Sequence, residues 1–348
     1  MELRLVTNIS STDFENFIGR IKKMKKIILG LIFVMLFSVN LMACGTDKTD
    51  SVSEKIQVVA TIFPEYDWVS KIIGENNDHV DLTLLMDNGA DLHSYQPTAE
   101  DILKISTCDL FIYVGGESDA WVDDALSQAT NDGMIVINLL DVIGDNAKEE
   151  ELKEGMQAEE EEDDADAEEA EYDEHVWLSL RNASIICDEI ANALISLDGD
   201  HADSFKANLE AYKKELAELD AEYELCVNQA ANKTLLFADR FPFRYLTEDY
   251  GLDYYAAFIG CSAETEASFE TVAFLADKID ELSLKHVIVI ESGDAKFADS
   301  IIKSSKAGSA DVLTLNSMQT VNRSDIENGA DYLDIMKSNL EVLKTALS

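Results

Sequence analysis

The 348-residue sequence predicts an α/β protein of two lobes, each with a roughly four-stranded, mainly parallel sheet flanked by helices, the lobes joined by one long rigid helix. Three observations carry that expectation. Eight short β-rich runs fall into two sets of four, and most are continuously apolar, as strands buried on both faces are. Helix-length segments separate most of them, the alternation that produces parallel sheets. Between the two sets, His201 to Ala230 contains neither Pro nor Gly.

The first set is 56–62, 81–87, 109–115 and 134–140; the second is 234–240, 252–259, 286–292 and 310–316. Tyr66–Asn76 and Ala267–Leu282 have helical length between strands, and a last helix runs from about Asp331 to Ala346. In the central stretch Phe205, Leu209, Tyr212, Leu216, Leu219 and Tyr223 recur at spacings of four and three, one apolar stripe on a helix. Such a helix is stiff, so any opening between lobes is expected to be small. The expected organisation is an extension and signal peptide over 1–43, a tether over 44–55 and an N-terminal lobe over 56–200 with an acidic insert at 148–174. A linking helix over 201–231 and a C-terminal lobe over 232–348 follow.

The N-terminus reads as an export signal. Lys22, Lys23, Lys25 and Lys26 precede an apolar run from Ile27 to Val39, then small residues near a cleavage point. That run is short for a transmembrane helix. Met1 to Lys23 does not fit a signal peptide, and a start at Met24 would give an ordinary one. "LMAC", ending at Cys44, resembles the lipobox of bacterial lipoproteins, which implies a lipid on Cys44 and a flexible tether after it.

The net charge of −42 disfavours nucleic acid and anionic membrane surfaces and favours cations. Glu149 to Glu174 holds sixteen acidic residues and one lysine. By composition this is a solvated loop that attracts cations without chelating them specifically. After export four cysteines remain, Cys108, Cys187, Cys226 and Cys261, with no CxxC pair, which argues against a zinc knuckle and leaves their pairing open.

Ligands of open parallel sheets bind beyond the carboxyl ends of the strands. His93 follows the second run, His175 the fourth, Asp239 and Arg240 end the fifth, and Glu291 ends the seventh. Two imidazoles and a carboxylate suit zinc, and also manganese or iron. His79 and His201 stand in polar surroundings and read as surface residues, and His286 as structural.

Several spaced motifs resemble the metal-binding lipoproteins of ABC importers that take up zinc and manganese. The match runs from about Ile56 to Leu347. "VVATIFPEYDWVSKIIGE" resembles the family's opening strand and helix. "GADLHSYQPTAEDILKISTCDLFIYVGGESDAWVDDAL" resembles the segment whose H-x-[YF]-x-P histidine binds metal, "DEHVWLSLRNA" its D-P-H-x-W motif, and "VIVIESGDAKFADSI" the segment supplying a strand-end acid. "LTLNSM" with "DYLDIMKSNLEVLKTAL" resembles the closing segment. Carried over, His93, His175 and Glu291 are the expected ligands, with Glu117 and Glu264 near the cleft. The resemblance implies zinc as cargo, manganese as the alternative, a permease and its ATPase as partners, and a monomer on the outer face of the cell membrane.

One position departs from the pattern. The family places His or Glu just before F-x-Y-L, and "FADRFPFRYL" has Arg240 there. Arginine has no lone pair for a metal. Three ligands could hold the ion with water or Asp239 completing the shell; Arg240 could pair with Glu291 or a bound anion; or metal binding could be altered. Glu266 and Cys261 are lesser candidates. A zinc hydrolase would share the His, His, Glu set but lacks HExxH or a nucleophile elbow. An adhesin is a third reading, without any adhesive repeat.

Overall fold

The computed structural model describes residues 55–75, 77–157, 171–262 and 267–348. The signal region, Met24, Cys44, Glu264, Glu266 and the acidic stretch 158–170 lie outside the described residues.

Among the described residues, eight strands form two sheets of four. In the first lobe they are β1 (Ile56–Ala60), β2 (Val80–Leu84), β3 (Leu110–Tyr113) and β4 (Ile135–Asn138). With them come α1 (Phe63–Ile73), α2 (Ala99–Thr107), α3 (Trp121–Leu126), α4 (Leu139–Ile143) and α5 (Leu180–Leu197). The central helix is α6 (Ala202–Gln229). The second lobe has β5 (Thr234–Arg240), α7 (Arg244–Tyr250), β6 (Asp253–Phe258), α8 (Phe269–Leu282), β7 (His286–Ile290), α9 (Ala295–Ser304), β8 (Asp311–Leu315), α10 (Arg323–Glu327) and α11 (Tyr332–Ala346). The sheet orders are β2-β1-β3-β4 and β6-β5-β7-β8, and every strand pairing is parallel. The lobes therefore share one strand order, a symmetry the sequence carries in no visible repeat. Parallel pairing aims all eight carboxyl ends toward loops that can build a site.

Local chemistry explains the element boundaries. Between β1 and α1, the buried Glu65 accepts the Thr61 and Ile62 backbone N–H groups, while Pro64 sits in the first helical turn, where no N–H is needed. Thr98 and Asp101 cap α2 reciprocally. On α6 the buried side chains are Phe205, Leu209, Tyr212, Leu216, Leu219, Tyr223 and Val227, the stripe expected with one more turn. Each such side chain stabilises by about 1.5–3 kcal/mol on burial, an upper figure because unfolded chains already bury some surface. The 28 residues of α6 span about 42 Å at 1.5 Å per residue. This helix packs on α1 and α5 of one lobe and on α7 and α11 of the other.

The ends of the acidic insert are ordered. Glu149 bridges Tyr172 in antiparallel fashion, Glu150 N donates to Glu171 O (2.9 Å), and Asp173 N donates to Lys148 O (2.8 Å). This neck then docks on the second lobe: Gln157 N donates to Ala257 O, and Lys153 pairs with Asp253 at 2.6 Å. The insert is thus anchored on both lobes.

His79 and His201 are not separate surface groups. Their rings stack at 3.8 Å, and Asp198 lies 3.3 Å from His79 Nε2 and 2.6 Å from His201 Nδ1. They tie the start of β2 to the turn before α6, at the strand end opposite the site. The described cysteines are all free.

Candidate metal centre

His93 lies on a single 3-10 turn, Leu92–Ser94, in the loop after β2. Asp91 begins that turn: its Oδ1 accepts the His93 N–H at 3.1 Å and its Oδ2 accepts Arg240 Nη2 at 2.7 Å. His93 Nδ1 is 2.8 Å from Ser118 Oγ and 3.4 Å from Glu174 Oε2. His175 is fully buried at the end of the insert neck. Asp173 Oδ1 accepts its backbone N–H at 2.9 Å and lies 3.1 Å from its Nδ1.

These acceptors select a tautomer for both rings. A carboxylate at Nδ1 keeps the proton there and leaves the Nε2 lone pair facing inward. The two Nε2 atoms are 3.2 Å apart. Two nitrogens bound at about 2.0–2.1 Å to one tetrahedral ion stand about 3.3 Å apart. Gln319, in the loop after β8, brings its amide nitrogen to 3.1 Å from His93 Nε2 and 2.8 Å from His175 Nε2. That NH2 donates one hydrogen to each ring, so the amide engages both lone pairs an ion would use.

The surrounding charges are strongly coupled to this geometry. Burial pushes the Glu174 carboxyl up, but hydrogen bonds from His93 and Ser118 hold it below the usual range. Burial disfavours charge on His175, and Asp173, Glu174 and Glu150 more than offset it, raising its pKa. At Asp91, burial is likewise outweighed by Arg240, and the pKa falls.

Two glycines allow the close packing. Gly116 has φ +82, and a Cβ there would lie 2.4 Å from Glu174 Oε1. At Gly260 a Cβ would lie 2.9 Å from the Phe241 carbonyl and 3.1 Å from His175 Cε1.

The structure brings together only some of the expected residues. His93 and His175 meet, and their partner in a group of ligand atoms all within 4.8 Å of one another is Cys261, from the loop after β6. Glu291 stands outside that group. Its carboxylate is held by Ser317 N (2.7 Å), Ser317 Oγ (2.9 Å) and Gln319 N (3.2 Å). Asp239 is engaged by the Arg240 and Ile290 N–H groups, which dedicates it to the ends of β5 and β7. Arg240 pairs with Asp91, not with Glu291. Glu117 is exposed, and its neighbour Ser118 is the one that reaches His93. Sequence reasoning missed Ser118, Glu174 and Gln319, which touch these side chains, and it gave Cys261 little weight. The rule that sites gather beyond strand ends would have pointed at residues 259–262 and 316–320 had every strand end been weighed equally.

Two parallel-sheet lobes with paired imidazoles at their strand ends have the form of a two-lobe ligand-binding protein. The family model described as "Zinc-uptake complex component A periplasmic" matches residues 58–346, and the chain belongs to that family. It is 29% identical over 324 residues to the high-affinity zinc uptake system protein ZnuA of Bacillus subtilis, covering 91% of this chain and 97% of the relative. It is 27% identical over 294 residues to the zinc-binding protein AdcA of Streptococcus pyogenes, covering 83% of this chain; the match spans just over half, 56%, of that longer relative. Among solved structures, the Zn(II)-bound ZnuA-like domain of Streptococcus pneumoniae AdcA aligns with a TM-score of 0.65 and 26% identity, over 84% of this chain and 99% of the domain.

Proposed function

We propose that this protein is an extracytoplasmic receptor that captures zinc between its lobes and delivers it to an ABC permease. The observation that carries the reading is the pair of histidines, His175 buried and His93 partly so, each anchored at Nδ1 beside a carboxylate, with Nε2 atoms 3.2 Å apart at the strand ends. His93 and His175 hold the ion through Nε2. Glu291 supplies a carboxylate once the turn at 317–319 yields. The names of the B. subtilis and S. pyogenes relatives support zinc over manganese as cargo. No catalytic step is assigned to the protein, since the permease's ATPase supplies the energy. A lipid on Cys44 keeps the receptor, as a monomer, on the outer face of the membrane.

The test is a zinc and manganese titration of purified protein, with metal content measured. His93→Ala and His175→Ala should each weaken zinc binding by about 100-fold or more, beyond the 10–100-fold that loss of an outer supporting partner costs. Wild-type zinc affinity in both variants would sink the receptor reading.

A further inference from the structure

We propose that Cys261 is a ligand of the captured ion, taking over the coordination that Arg240 cannot provide. The proposal rests on the receptor reading above.

Three independent observations converge on this cysteine. The first is position: its Sγ and the ring nitrogens of His93 and His175 all lie within 4.8 Å of one another. A zinc ion with two Zn–N bonds of about 2.0–2.1 Å and one Zn–S bond of about 2.3 Å needs its three ligand atoms within about 4 Å, so small rotations suffice. The second is the fate of the end of β5. Arg240 is paired with Asp91 at 2.7 Å, and Asp239 accepts the Arg240 and Ile290 N–H groups, so both residues at the end of that strand are otherwise engaged. The adjacent strand, β6, then delivers Cys261 from its own carboxyl-terminal loop.

The third is how the loop is held. Cys261 N donates to Glu150 Oε1 at 3.0 Å, a residue of the insert neck. Gly260, lacking a side chain, lets the loop come against the Phe241 carbonyl, Asp173 and His175. The thiol is free of any disulfide. Two elements therefore place it beside the imidazoles.

Binding exchanges a proton for the ion: the S–H bond breaks, an S–Zn bond forms, and the proton leaves to solvent. A His, His, Cys set is softer than one built with a third imidazole or a carboxylate, so Cys261 sets preference for zinc over manganese.

The test uses cobalt as a spectroscopic stand-in for zinc. Cobalt-loaded wild-type protein should show a thiolate-to-cobalt charge-transfer band in the near ultraviolet, absent from Cys261→Ser. That variant should bind zinc at least ~10–100-fold more weakly while its manganese affinity changes less. The proposal is overturned if cobalt fills the site, shown by visible bands that vanish in His175→Ala, without a thiolate band in the wild type. It is overturned equally if the band persists in Cys261→Ser, which would place the thiolate at another cysteine. Those results leave the receptor reading standing. Unchanged zinc binding in His93→Ala and His175→Ala would remove both.

Discussion

Gln319 is the residue whose chemistry most shapes the site. Its amide donates to both imidazoles, and its backbone N–H donates to Glu291, so one residue links the two histidines to the acid. The residue before it, Met318, has φ +63, a conformation unusual for a side chain of that size. Ion binding must displace the amide and release this turn. Gln319→Ala removes the competitor while keeping both histidines and their carboxylates. Two modest hydrogen bonds, lost from the metal-free state alone, correspond to about 1.4 kcal/mol and roughly tenfold tighter zinc binding. A competitive chelator titration measures this, and weaker binding would mean that Gln319 supports the bound ion instead. His93 and Glu291 stood out in the sequence because one follows and the other ends an apolar run, and His175 because it closes the acidic insert after the fourth run. Gln319 and Cys261 follow such runs too, but a lone amide and a lone thiol carry no spacing signal. Only the folded contacts show that the loops after β6 and β8 reach the same point as those after β2 and β4.

At the scale of elements, strands were legible and their ends were not. Apolar runs look alike along their length, so the sequence places a strand at 81–87 where β2 is Val80–Leu84. The turn residues beyond, such as Met86, are buried and apolar without being strand. The contact between α1 and the start of α11 was invisible in sequence because it joins residues 260 or more apart. There Asp67 Oδ2 accepts the Tyr332 N–H at 3.3 Å, while Lys71 pairs closely with Asp331. Burial, with help from Asp331 and against the pull of Lys71, pushes Asp67 from 3.8 up to about 7. The folded state therefore holds a proton that the unfolded chain has released. The stability tied to that proton is complete below pH 3.8 and is lost as pH rises through about 7. Asp67→Asn keeps an oxygen for Tyr332 and removes the titration. Urea unfolding at pH 5 and pH 8 should show a smaller loss of stability across that interval in the variant than in the wild type. An equal loss in both proteins would assign the slope elsewhere, with Asp119, also raised to about 7 by burial, the first place to look.

For the molecule as a whole, the question is how far the lobes part to admit an ion. One apolar core runs through both of them, joining Trp68 and Trp177 of the first lobe to Phe243, Tyr332 and Met336 of the second. Polar contacts cross at the same place: Trp177 Nε1 donates to Ser317 O at 2.8 Å, and Tyr332 OH donates to Trp177 O at 2.6 Å. Tyr332 also sets its ring edge-on to Trp68 at 5.2 Å. With α6 packed on helices of both lobes, a wide hinge motion would expose this core and break buried hydrogen bonds, at about 1–3 kcal/mol for each group left unpaired. Moving only the turns at 91–95 and 316–320 costs less, since of these crossing contacts just the Trp177 bond to Ser317 O involves them. Zinc should therefore leave the radius of gyration unchanged in solution scattering. Hydrogen exchange should slow at those two turns and at 173–176, and stay constant along α6 and in α11. A compaction on zinc binding, accompanied by altered exchange in α11 around Tyr332, would show instead that the lobes move as bodies and that the shared core opens.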